Sequence, residues 1–245
     1  MKLTELKSAI LGGKYDKAFA SLYGVDFNKE ATYARYADAA ENFEKIYGAK
    51  IAPDADVCLF SVPGRSEISG NHTDHNHGKV VAAGISLDII AVAAKTDAGE
   101  VRIKSAGFDE DVADIATCAT VVEAQQFKAA AIVRGMCDGF IKNGFKVGGY
   151  CAYTTSNVLK GSGLSSSAAF EVMVGNILNH FYNGGSIDAV TIAKIAQYSE
   201  NVHFGKPCGL MDQTACAVGS FVAIDFRDTG APVVEKLGFD LTRHG

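Results

Sequence analysis

The chain has 245 residues, of which 48% are apolar and 21% charged, and its 23 basic and 28 acidic residues leave a net charge of −5. That composition describes a globular protein large enough to bury its own core, and it excludes a disordered chain, a collagen, a coiled coil and a disulfide scaffold. The acidic balance gives no general attraction for nucleic acid or an anionic membrane. The longest apolar stretch, Val80 to Ala94, has 15 residues with Asp88 inside it, too few to span a bilayer. The six cysteines (58, 118, 137, 151, 208 and 216) form no CxxC pair, and the start MKLTELKSAILGGKYD lacks the apolar run of a signal peptide. Reduced thiols in a cytoplasmic protein are therefore expected.

Residues 1–50 read as helices. Leu3, Leu6 and Ile10, then Phe19 and Leu22, stand at helical spacing, and a longer helix follows with Tyr33, Tyr36, Ala40, Phe43 and Tyr47 on one face and Gly48 at its end. Strands are expected at Val57–Val62, ahead of Pro63-Gly64, and at Leu87–Lys95 and Val101–Ser105, the last two joined as a hairpin by the turn Asp97-Ala-Gly99. Helical period returns from Glu123 to Lys142, where Asn143-Gly144 stops it. Gly149–Thr155 alternates like a strand. The Gly/Ser loop Gly161–Ser166 then opens a helix to about Tyr182. Ser186 is expected to cap another helix, running to about His203, and Phe221–Asp225 reads as a strand. The class is α+β, with 1–50 as a helical N-terminal extension and 51–245 as one domain.

Three stretches carry chemistry. Gly161-Ser162-Gly163-Leu164-Ser165-Ser166-Ser167-Ala168 lies between a strand and a helix. Small residues allow close backbone approach, and the unpaired N–H groups of a helix start suit a phosphate. No Lys-Ser/Thr follows the glycines, so this is not a Walker A loop; ordinary serine capping is the alternative. Residues 63–78 crowd Arg65, Glu67, Asn71, His72, Asp74, His75 and His77 between two strands. That set suits a small polar ligand. A solvated turn is the alternative, and zinc is disfavoured because ligands so close in one loop rarely close a tetrahedron. In Cys208-Gly209-Leu-Met-Asp212-Gln213 a carboxylate stands among small and apolar residues, as a general base or as a helix cap. Glu200 lies twelve residues before Asp212.

Together and in this order, the stretches resemble the galactokinase family of the GHMP sugar and metabolite kinases. GRSEISGNHTDHNHG is similar to the family's GRVNLIGEHTDYNGG, Gly161–Ala168 matches GxGLSSSA, and Pro207–Gln213 is nearly PCGIMDQ. The resemblance implies transfer of a phosphoryl group from ATP, with Mg²⁺, to the anomeric hydroxyl of galactose in the cytoplasm. It implies a small-molecule sugar and ATP as the only partners. The implied fold is a GHMP kinase N-terminal domain of the ribosomal S5 domain 2-like type, a mixed sheet packed against helices. The ferredoxin-like half and its glycine-rich motif are not expected within this chain, which alone is expected to be inactive. By the same resemblance Asp212 is the catalytic carboxylate and Arg65 its partner, Ser167 and Glu200 are Mg²⁺ ligands, and Gly161–Ala168 hold the phosphates. Asn71, His72, Asp74 and Gly209 correspond to sugar contacts.

The family has Glu where this chain has Asn71, and Asn where it has Glu67. A kinase for a related sugar (galacturonate, arabinose or N-acetylgalactosamine) is therefore the first alternative. A non-catalytic galactose- and ATP-binding sensor is the second, opposed by Ser167-Ala168 and Asp212.

Overall fold

The computed structural model describes residues 1–159 and 161–238, which build a seven-stranded mixed sheet with helices on both faces. Three helices come first: α1 (Leu3–Leu11), α2 (Asp16–Tyr23) and α3 (Lys29–Tyr47). The apolar spacing produces them, with Leu6 and Ile10, Phe19, and Tyr36, Ala40, Phe43 and Tyr47 as their buried residues. Asn28 caps α3, its side-chain oxygen accepting from the Ala31 N–H at 3.0 Å.

Strand β2 (Lys79–Lys95) is the spine of the sheet. Strand β1 (Val57–Ser69) runs antiparallel along one edge of it. The other edge is shared by β5 (Tyr150–Ser156), paired with residues 89–95, and β6 (Phe221–Asp225), paired with residues 79–83. Strand β3 (Glu100–Ser105) lies parallel to β5, β4 (Glu110–Asp114) follows it, and β7 (Val233–Lys236) flanks β6.

The Asp97–Gly99 turn therefore does not close the expected hairpin. Both edges of the C-terminal half of β2 are taken, by β1 and β5, so β3 pairs beyond β5 instead. The first strand also runs past Pro63-Gly64 to Ser69, with a register shift between Pro63 and Arg65. An irregularity of this kind is where a sheet tolerates proline. The first part of the polar stretch is thus strand, not loop.

The helix expected from Glu123 begins at Ala129 as α4 (Ala129–Lys142), after a single 3₁₀ turn. Phe127 breaks the run: its N–H bonds the Phe204 carbonyl at 3.1 Å and its φ is 63°. The phosphate-loop helix is α5 (Ser166–Asn183). Ser186 does not cap the next one, because its hydroxyl donates to the Asn183 carbonyl. Asp188 caps α6 (Ala189–Tyr198), accepting from the Thr191 N–H at 3.0 Å, and a π-helical turn, Ser199–Phe204, continues the axis. Helix α7 (Met211–Val218) precedes β6.

The sheet is buried on both sides, which explains the unbroken apolar run of β2. Ile90, Val92 and Ala94 face α1–α3, while Ile89, Ala91 and Ala93 face the core shared with α4–α6. Asp88, inside that run, is 2% exposed. Its Oδ1 accepts from Arg35 of α3 at 2.5 Å, and its Oδ2 from the hydroxyls of Tyr23 and Ser61 at 2.6 Å. A buried charge kept in this way ties the helical layer to the sheet. All six cysteines are free thiols. No helix among the described residues is long and apolar enough to cross a membrane.

Candidate active site

Arg65 lies on β1 past the register shift and is 6% exposed. Its Nε and Nη2 both lie 2.7 Å from Asp212 Oδ1, and its Nη1 donates to the Gly163 carbonyl at 2.6 Å. The Arg65 N–H donates to the Leu164 carbonyl at 3.1 Å. A Cβ on Gly64 would stand 2.8 Å from that same carbonyl oxygen, so β1 and the Gly/Ser loop are pressed together through a glycine. Asp212 occupies the first turn of α7, where a carboxylate also complements the helix dipole. Its second oxygen accepts from Ser165 Oγ at 2.5 Å. Ser165, at φ 59°, spends its hydroxyl here and makes no side-chain cap on α5.

The loop from Gly161 to Ala168 opens outward. Gly161 and Gly163 have φ near 77° and 75°, with nothing within 4 Å of an added Cβ. Ser162 turns back, its hydroxyl donating to Leu159. Ser166, Ser167 and Ala168 form the first turn of α5, whose N–H groups lack intrahelical acceptors and point toward the loop mouth. Loop and helix end together fit a phosphate.

The connection from β1 to β2 holds the second polar set. Asn71 and His72 take left-handed backbone, with φ of 54° and 50°. Asn71 is exposed. Glu67 fixes the turn: Oε1 accepts from the His72 N–H at 2.8 Å, and Oε2 lies 3.0 Å from His72 Nε2. Asp74 is 8% exposed and reaches α7, Oδ2 accepting from the Met211 N–H at 3.1 Å. Gly209 makes that approach possible, since a Cβ there would stand 1.8 Å from the same oxygen. The histidines diverge, His72 to Glu67 and His75 to Asp74. Among the described residues no group of three or more His, Cys, Asp and Glu is placed to hold a metal ion.

Glu200 is the second residue of the π-helical turn and is 2% exposed. Its Oε2 accepts from Gln213 Nε2 at 2.9 Å, and its Oε1 from Lys206 Nζ at 3.1 Å. Burial is the largest single influence on Lys206 and opposes its charge, but the hydrogen bond to Glu200 and the negative charges around it together raise the ammonium's pKa. Gln213 Nε2 also donates to Glu171 Oε2 at 3.1 Å. Burial, and then the charge of Glu200, hold the Glu171 carboxyl well above the usual carboxylate range. Ser167 makes no direct bond to Glu200. It stands one turn before Glu171 on the same helix, so both fall on one face of α5, and Gln213 links that face to Glu200.

The oxygens of Ser167 and Glu200 are the hard donors Mg²⁺ prefers. Buried next to them, Glu171 Oε1 and Gln213 Oε1 have no hydrogen-bond partner. The donor set therefore fits such an ion. Glu171 and Gln213 were not singled out from the sequence. The available signal was one carboxylate, Glu171, between Phe170 and Val172 in an apolar helix.

Residues 127–220 match the family described as GHMP kinases N terminal domain, and residues 41–95 match the galactokinase galactose-binding signature. The chain is 32% identical over 208 residues to a galactokinase of Streptomyces coelicolor and 37% identical over 205 residues to one of Lactobacillus helveticus. Those alignments cover 84% and 80% of this chain and 51% of each relative. The fold matches the crystal structure of Lactococcus lactis galactokinase complexed with galactose with a TM-score of 0.70, over 82% of this chain and 51% of that one. At 23% identity that likeness is one of fold. The chain belongs to the GHMP kinase family, as its N-terminal kinase domain, and is homologous to galactokinases. It spans about half the length of the curated relatives it matches.

Proposed function

We propose that the protein is an ATP-dependent sugar kinase that phosphorylates the anomeric hydroxyl of galactose. The observation that carries this reading is the position of Asp212, held by Arg65 on one oxygen and Ser165 on the other, between an open Gly/Ser loop and the Asp74–Gly209 contact. Phosphoryl transfer asks mainly for positioning and charge compensation, and these residues supply both. The loop from Gly161 to Ala168 binds the phosphates. Asn71, His72, Asp74 and Gly209 line the sugar's place, where Asp74 accepts from hydroxyls. Asp212 Oδ2 takes the proton of the anomeric hydroxyl as its oxygen bonds the terminal phosphorus and the bond to the ADP oxygen breaks. Arg65 fixes that carboxylate and adds positive charge beside the Gly163 carbonyl. Ser167 and Glu200 would hold Mg²⁺, which neutralises charge on the phosphates when bound.

A second reading, a kinase for a related sugar, is favoured by Asn71. It is exposed, neutral and free of side-chain hydrogen bonds among the described residues where the family carries a carboxylate. A phosphorylation screen of the protein at its full native length against galactose, galacturonate, arabinose and N-acetylgalactosamine separates the two. Turnover on galactose above all others supports the first reading. Preference for another sugar supports the second, and no ATP consumption with any sugar contradicts both.

A further inference from the structure

Glu171 has no part in the chemistry above, yet its place is costly. It is 0% exposed on α5, among Ala168, Phe170 and Val172. One of its oxygens accepts from Gln213, while the other, and the side-chain oxygen of Gln213, have no partner among the described residues. A buried polar atom left unpaired is expensive, and an apolar side chain of similar size often packs there at no loss. Packing alone therefore gives no reason for a carboxylate at this point.

What the carboxylate provides is direction. A primary amide has two N–H donors in one plane. With one N–H of Gln213 Nε2 committed to Glu171 Oε2, the other points at Glu200 Oε2, 2.9 Å away. Lys206 takes the remaining Glu200 oxygen, and Cys208 Sγ lies 3.5 Å from the same amide nitrogen. Glu200 lies in the first part of a π-helical turn, outside the regular i→i+4 pattern of α6. The orienting contacts come from outside that turn, and the chain of bonds starts on α5, one turn below Ser167.

We propose that Glu171 is a positioning residue that acts through Gln213 to aim the Glu200 carboxylate at the metal–nucleotide. The role rests on the kinase reading of Glu200 given above. The bond needs an acceptor oxygen at position 171 and no charge there.

The test compares Glu171→Gln, Glu171→Met and Gln213→Leu with the unsubstituted protein at full native length. Binding of the Mn²⁺ complex of AMP-PNP is followed by Mn²⁺ EPR, and the Tm of each protein is recorded alongside. Glu171→Gln keeps the acceptor and should bind within about threefold of the unsubstituted protein. Glu171→Met removes the acceptor but fills the space, and should weaken binding about tenfold or more with Tm unchanged or raised. Gln213→Leu should lose binding to the same degree, and it stands in if the methionine variant does not fold. Tight binding by Glu171→Met, equal losses in the Met and Gln variants, or an affinity loss that tracks a fall in Tm would each overturn the positioning role alone. An unsubstituted protein that does not bind the probe overturns the kinase reading and this role with it.

Discussion

Arg65 and Asp212 are 147 positions apart in the chain and 2.7 Å apart in the fold. Two nitrogens of the guanidinium meet one carboxylate oxygen while a third reaches the Gly163 carbonyl, so one side chain joins β1, α7 and the Gly/Ser loop. A lysine carries the same charge without the planar fork. Arg65→Lys should therefore lower kcat by roughly 10²-fold, with the Tm little changed. Steady-state kinetics on the best sugar checks this, and activity within threefold of the parent would show that charge alone suffices.

Gly209 leaves room for the Asp74 carboxylate. A methyl group there would overlap the carboxylate oxygen, at 1.8 Å, so Asp74 must turn away. Gly209→Ala should weaken sugar binding at least about tenfold, about 1.4 kcal/mol. The unfolding midpoint should hardly move, because Asp74 sits on a connection and not in the core. Calorimetric titration with galactose measures the first effect and urea unfolding the second. Unchanged sugar affinity would remove Asp74 from the binding site.

The motif residues were legible because they are contiguous in sequence and each stretch contains glycine. Their joining was not. That Asp74 would reach the Met211 N–H, or that Ser165 would bond Asp212, depends on how β1, α5 and α7 pack. The helices of residues 1–50 read directly from their apolar spacing. Strand order did not, since a tight turn at Asp97–Gly99 says nothing about which edge of β2 is free. The start of α4 was missed for a similar reason: the bond from the Phe127 N–H to Phe204 is tertiary, and it overrides a helical pattern. Strands β4 and β7 are short and carry charge, so they gave no alternating apolar signal.

Asp88 is where the helical layer and the sheet are held together. Asp88→Ala leaves Arg35 without its buried partner and frees the Tyr23 and Ser61 hydroxyls. The cost should be about 3 kcal/mol of unfolding free energy, the range for breaking a buried ion pair. Urea unfolding followed by tyrosine fluorescence and circular dichroism gives the value, and a loss below about 1 kcal/mol would mean the pair is effectively solvated.

Asn71 differs from the family, but Glu67 already places a carboxylate in the same turn, bound to His72 through both oxygens. Asn71→Glu should therefore leave the ratio of kcat/KM for galactose over galacturonate within about threefold of the parent, a shift under 1 kcal/mol. A tenfold or larger rise in that ratio would assign sugar selection to Asn71, through like-charge repulsion of the sugar acid.

The central claim is that Asp212 serves phosphoryl transfer to a sugar's anomeric oxygen. The direct measurement is ³¹P NMR of the protein at full native length with ATP, Mg²⁺ and galactose, run in parallel with Asp212→Asn. The account predicts a sugar 1-phosphate resonance growing with ADP for the parent. For the variant it predicts a rate lower by about 10²–10⁴-fold, with galactose affinity within tenfold. Phosphate on another hydroxyl, or a variant that turns over as fast as the parent, would contradict it.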